Sequence, residues 1–331
     1  MKNVTIGLLI SLSCMLAFRV TFDHLVRDNS GTKGKVFTSS DGVRLFYRHI
    51  KADTDPRQTI LVLPGLGAHS LVGEKLVKSL SSEFNVIVAG RLSYGFSSSD
   101  ETQISLKNYA KRLGELLDSL DVKEIHVLGL SLGAAYGTVF YRNYPERVVS
   151  ILNADCSVPE EIDEGEEYVR QILGDWLSSY ERLRVASIFG VHQFKTALLY
   201  GMGKIPFESV LSAQHTHIES TLLEGGQFWE LLEEAQFYDN YKDLPLLVVS
   251  SNISPSYDID QNRPLQYHQK LSRLSSRGYH KVLVDTSHGD LIGDLDGKLS
   301  SIYLEFLRSI KTQQKEIALR KEKQTATAIN Q

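Results

Sequence analysis

The sequence predicts an α/β architecture: a mostly parallel central sheet with helices on both faces, and a helical cap inserted after the strand that ends at Asp155. Three observations predict it. Short, continuous apolar runs at 59–63, 85–89, 125–128, 148–153 and 245–250 read as strands buried on both faces. Stretches with helical periodicity alternate with them, as βαβ units require. The unusual glycine- and serine-rich loops all follow the C-terminal ends of those runs, where parallel sheets bind their ligands.

The chain has 331 residues, 42% hydrophobic and 23% charged, with a formal net charge of −4. That length suits one large domain with an insertion. The near-neutral balance gives no sign of nucleic-acid binding. Cys14 and Cys156 are the only two cysteines, too few for a disulfide framework.

Residues 4–18 are apolar or small without interruption, behind Lys2 and ahead of Arg19. A stretch of this length matches the core of a signal sequence, so 1–27 reads as a signal sequence or membrane anchor, and the protein as membrane-held or exported. No A-x-A cleavage site follows, and basic residues flank both ends, so cleavage and orientation stay open. The competing reading is a helix that packs on the domain.

Taken in order, 35–48 is a hairpin turning at Asp41-Gly42. The strand 59–63 ends in Pro64-Gly65-Leu66-Gly67, and a helical pattern occupies 69–83. Another strand at 85–89 leads into the turn 91–99, and 106–120 is an amphipathic helix. The sheet-bearing core is expected over 35–156 and 241–310. Between them, 157–240 shows helical periodicity, an acidic opening that suits a solvated helix N-terminus, and many aromatics. Trp176, Tyr180, Phe189, Phe194, Phe228 and Trp229 are expected mainly in the cap's own core. Beyond it come a helix at 265–274, a last strand at 281–284 and a helix starting near Leu299; the polar tail 311–331 is expected to fray.

The centre of the pattern is Gly129-Leu130-Ser131-Leu132-Gly133, between an apolar strand and an Ala-rich helix that ends at Pro145. A serine between two glycines at such a corner is a nucleophile elbow: the turn strains the serine and lifts its hydroxyl clear, and a Cβ on either glycine would strike the neighbouring elements. The stretch HVLGLSLGAAYGTVFYRNYPERV resembles the nucleophile region of the α/β-hydrolase superfamily, and the order of elements is similar from about Phe37 to Leu307.

The resemblance implies a serine nucleophile, Ser131, with its acid and then its histidine later in the chain. His288, in a Ser/Gly/Asp turn after the last strand, takes the place of the base. His126 lies inside a strand and reads as a core residue; His69 borders the first glycine-rich loop; His215 and His217 lack neighbouring ligands for a metal. The oxyanion donors implied are the backbone N–H groups of Leu132 and of Leu66. The acid has alternatives: Asp155, at the end of the strand after the nucleophile helix, or Asp258 or Asp260, a few residues beyond the family's usual position, or none. Residues 91–97 resemble the family's D-R-x-G-Y-G-x-S loop, with Gly90 in place of aspartate; Tyr94, Gly95 and Ser97 read as structural.

The expected activity is hydrolysis of a carboxylic ester through an acyl-serine, with no organic cofactor and no metal. A short-peptide substrate is the alternative within the same chemistry, and a non-catalytic ligand-binding module the alternative outside it. Oligomeric state is not legible.

Overall fold

The computed structural model describes residues 2–31, 34–52, 58–71, 73–98, 104–157, 166–205, 207–236, 241–253 and 262–329. Its spine is an eight-stranded sheet in the order β1-β2-β4-β3-β5-β6-β7-β8. Strands β1 (Lys35–Thr38) and β2 (Arg44–Ile50) form the expected hairpin, and β2 runs antiparallel to β4 (Asn85–Ala89). All later pairings are parallel, through β3 (Thr59–Leu63), β5 (Ile125–Leu130), β6 (Val148–Ala154), β7 (Leu246–Ile253) and β8 (Gly278–Ser287).

The apolar runs are continuous because both faces of the sheet are covered. Side chains alternate along a strand, so Leu61 and Leu63 join one core cluster while Ile60 and Val62 join the other. The first cluster is closed by α3 (Leu106–Ser119) and α4 (Gly133–Asn143). The second is closed by α2 (Glu74–Ser81). Helix α2 is shorter than expected, because residues 69–73 form a loop that enters it through Gly73 in the left-handed region at φ 78°.

Between β6 and β7 the described residues form five helices: α5 (Glu166–Ile188), α6 (Val191–Gly201), α7 (Phe207–Ser212), α8 (His215–Gly226) and α9 (Phe228–Ala235). Since β6 and β7 are parallel neighbours, the insertion leaves from the C-terminal end of β6 and returns to the N-terminal start of β7, where Leu246 pairs with Ile151. Phe228 is buried as expected of a cap core, but Phe189 and Phe194 are not: they are 39% and 59% exposed. They belong to a turn and helix face that α1 covers only in part, so burial cannot be read from aromatic content alone.

The sheet is completed by α10 (Asn262–Ser272), α11 (His288–Gly293) and α12 (Lys298–Ile329). Helix α12 continues past Ser309, where fraying was expected; no glycine or proline interrupts 298–329, and Lys, Gln, Glu, Ala and Arg are good helix formers.

The N-terminal segment is one helix, α1 (Lys2–Gly31). Its inner stripe packs on the cap and the core edge: Phe22 and Val26 share a buried cluster with Phe46, Leu71, Val210 and Leu211. Phe18 meets Phe194 edge to face at 5.7 Å. Gly190, at φ +73°, lets the chain pass close by, since a Cβ there would fall 2.6 Å from Met15 O. Among the described residues, no helix is long and apolar enough to cross a membrane.

Candidate active site

Ser131 sits at the junction of β5 and α4 with φ 53°, a left-handed conformation unusual for any residue but glycine. Two hydrogen bonds hold it there: its N–H donates to Ala154 O at 2.9 Å, and Ala134 N donates to Ser131 O at 3.0 Å. The flanking glycines are forced by space. A Cβ on Gly129 would lie 2.6 Å from Ala134 Cα, and one on Gly133 would lie 2.0 Å from Leu63 O. Leu132 is the N-cap of α4, so its N–H belongs to the first turn, where helices leave donors unused.

The register places Asp155 level with Ser131. Leu130 pairs with Ala154, so the serine and the aspartate are the next residues off adjacent strands. Asp155 is itself left-handed, at φ 44°, with its N–H bonded to Val249 O at 2.7 Å. Its carboxylate accepts from Ser251 N at 3.1 Å and from Ser251 Oγ at 2.6 Å. It also bonds His288 Nδ1 at 2.7 Å. Burial works to raise the carboxyl pKa, but the hydrogen bond and charge of His288, with His268 and Ser251 beside it, outweigh burial and hold it near 2. The imidazole is oriented from its own side too. Ser287 caps α11 reciprocally with Asp290, which fixes His288 as the first helical residue after β8.

The loop after β3 approaches the serine from the other side. A Cβ on Gly65 would fall 3.0 Å from Ser131 Cβ, so glycine is what permits the approach. Leu66 follows it in the same loop. Arg91 holds this loop from beneath, donating Nη1 to Pro64 O and Nη2 to Gly65 O. The guanidinium is neutralised by Glu224 of α8, with Nη2 bonded to Oε2 at 2.9 Å and Nε 2.7 Å from Oε1. Tyr94 and Tyr136 hydroxyls also donate to Glu224, at 2.9 and 2.6 Å. From the same helix, His217 Nε2 bonds Gly67 O at 3.0 Å. Burial lowers the His217 pKa to about 4, so the ring is neutral and donates from that nitrogen. Trp176 of α5 lies over Gly67, where a Cβ would touch its ring at 3.0 Å.

The α/β-hydrolase-fold family model matches residues 58–192, which include Ser131, Asp155 and the loop after β3. The chain has the α/β-hydrolase fold, and residues 58–192 carry the match to that family. An esterase from Thermogutta terrifontis superposes with a TM-score of 0.59 at 16% identity, covering 84% of this chain and 98% of the other. A poly(3-hydroxyalkanoate) depolymerase of Ectopseudomonas oleovorans is 24% identical over 172 residues, 52% of this chain and 58% of that protein. An uncharacterised Mycobacterium bovis protein is 29% identical over 89 residues, and the match spans only 26% of its length. Similarity at these levels establishes the α/β-hydrolase fold.

Within this fold, the structure brings together residues the sequence had left apart. His126 is a core residue as expected, bonded to Ser150 Oγ at 2.8 Å. His69 is buried in the loop before α2, where Nδ1 accepts from Leu71 N at 2.9 Å. Asp258 and Asp260 lie outside the described residues. Glu224 carried no motif that could single it out, since its helix also holds Glu219, an acid that stays exposed. Ser251 stands where the family's acid is commonly found and serves Asp155 instead. Behind it, Ser250 Oγ links His268 Nδ1 at 2.6 Å and His280 Nε2 at 2.8 Å, and His268 Nε2 reaches Cys156 O at 2.7 Å. Burial lowers the pKa of both rings, so this chain supports the Asp155 turn with neutral groups.

Proposed function

We propose that the chain is a serine hydrolase that cleaves carboxylic esters through an acyl-serine intermediate. Ser131 is the nucleophile, His288 the general base, Asp155 the acid, and the N–H groups of Leu132 and Leu66 the oxyanion donors. The observation that carries this reading is the 2.7 Å bond between His288 Nδ1 and Asp155 Oδ2, beside a serine held at φ 53°.

The chemistry follows from that pairing. With Nδ1–H committed to Asp155, the lone pair of the neutral ring is on Nε2, the nitrogen that takes the Ser131 proton as Oγ attacks the ester carbonyl. The imidazolium that forms is stabilised by a carboxylate already ionised. Negative charge on the carbonyl oxygen is met by donors fixed before the reaction, one at the start of α4 and one in the loop that Arg91 holds. The imidazolium then protonates the leaving alcohol, and water repeats the sequence on the acyl-serine. Esterase and depolymerase names among similar proteins favour an ester substrate over a peptide.

Fluorophosphonate labelling and a p-nitrophenyl ester series of increasing acyl length test the reading together. Wild-type protein should label and turn over, and a folded Ser131→Ala variant should do neither. No labelling of the folded wild type would leave a non-catalytic binding module as the reading.

A further inference from the structure

The N-terminal helix and two cap helices present an apolar surface that the fold leaves bare. On α1, the inner stripe is buried, yet Leu16 and Val20 on its outer side are 48% and 47% exposed. Val185 at the end of α5 is 56% exposed, and Phe194 and Leu198 on α6 are 59% and 55% exposed. These helices form one surface: α1 crosses the α5–α6 junction at Met15 and Gly190, and Phe18 stacks its edge on Phe194. Scattered exposed apolar residues need no explanation, but large residues on three touching helices do.

Charge says what covers them. Residues 181–205 carry Arg182, Arg184, Lys195 and Lys204 against one acid, Glu181, which pairs with Arg184 at 2.8 Å, and on α1 Arg19 lies beside Asp23, in a chain whose formal net charge is −4. The apolar face therefore carries an excess of cations, Arg182, Lys195 and Lys204, against the sign of the whole molecule. Apolar side chains ringed by Lys and Arg are the chemistry of a helix lying in the plane of a membrane interface and drawn to anionic headgroups. A second copy of the chain would bring the same cations against each other.

We propose that α1, the end of α5 and α6 together dock on an anionic lipid surface, in its plane and not across it. Phe194, Leu198, Val185 and Leu16 enter the headgroup boundary, while Arg182, Lys195 and Lys204 stay at the phosphates. The cap that roofs the strand ends is thereby held at the bilayer. This inference does not depend on the chemistry proposed for Ser131.

Co-sedimentation of the full-length protein with phosphatidylcholine vesicles, with and without phosphatidylglycerol, tests it. Wild type should pellet with the anionic vesicles and only weakly with the neutral ones. Phe194→Glu with Leu198→Glu should cut binding by about 100-fold, the loss of two buried apolar side chains, with an unchanged thermal midpoint. If that pair unfolds, Val185→Glu with Leu16→Glu gives the same reading. Lys195→Glu should weaken binding to anionic vesicles and leave the neutral ones unaffected. Wild type that stays in the supernatant, or folded variants that bind equally well, would overturn the proposal. So would a wild-type dimer that the substitutions convert to monomer without changing vesicle binding, since the face would then belong to a second copy. Resistance to alkaline carbonate extraction would overturn the in-plane geometry in favour of a span.

Discussion

Arg91 and Glu224 form an ion pair with both side chains buried, and the pair joins the loop beside Ser131 to the cap helix α8. A buried pair adds little stability over apolar residues of the same shape, but removing one member strands the other charge at a cost of about 3–5 kcal/mol. Glu224→Gln should destabilise the protein by that order in urea. Where it still folds, kcat should fall more than KM rises if the loop that Arg91 holds supplies the oxyanion donor proposed above. Equal effects on kcat and 1/KM would assign the pair to substrate binding.

The Asp155–His288 bond predicts a second loss. Asp155→Asn keeps the shape but offers the imidazole a donor, so the ring takes the wrong tautomer; kcat should drop on the order of 10⁴-fold. Asp258→Asn and Asp260→Asn should cost far less. A collapse in either of those with an active Asp155→Asn would transfer the acid to the later loop.

The pH dependence has a definite sign. Asp155 titrates near 2 in the folded protein, below the ordinary aspartate range. Its stabilising contribution is complete above the unfolded value near 3.9 and is lost as pH falls towards 2. The Asp155 carboxylate should therefore show no infrared protonation band between about pH 7 and 5. A protonated Asp155 at pH 5 would contradict the geometry.

Asp23 behaves oppositely. Burial of this α1 residue against the cap raises its pKa to about 6, against the opposing pull of Arg19, His215 and His24. A raised carboxyl favours the folded state while protonated, so its contribution is present below the unfolded value and is lost as pH rises through about 6. Asp23→Asn should raise the thermal midpoint at pH 7 and flatten its change between pH 4 and 6. An unchanged slope would show that α1 docking does not depend on this group.

Glycine substitutions separate chemistry from folding. In Gly65→Ala the new methyl meets Ser131 Cβ at 3.0 Å and Leu130 O at 3.1 Å, a tight contact at the reacting edge. The variant should fold with reduced kcat. Gly133→Ala places a carbon 2.0 Å from Leu63 O, against strand backbone that cannot yield, and should fail to fold. Comparable stability of the two, by circular dichroism melts, would refute the distinction.

Local signals explain what could be read from the chain before its structure. Buried parallel strands are continuous apolar runs, and the elbow is five consecutive residues, so β3 to β6 and Ser131 were legible. His288 could be singled out as a turn residue after the last strand. Its bond to Asp155 could not, because it depends on the register between β5 and β6 and on the side chain of Ser251, which are pairings across the sheet. Glu224 was hidden for the same reason: its partner Arg91 is 133 residues away. Phe194 misled because periodicity tells which side of a helix is apolar, not whether anything covers it.

The Glu224 cluster also bears on how this chain can change by descent. One acid from the cap meets Arg91, Tyr94 and Tyr136 from the sheet domain, and all three lie under it without access to water. A cap borrowed from a relative without an acid at that position would leave a buried guanidinium without its counter-charge and two phenols without their acceptor. Caps are therefore not freely interchangeable modules here. Recombination that swaps the helices between β6 and β7 should succeed only when the matching arginine and tyrosines are inherited with them, so the two parts of the molecule diversify as one lineage.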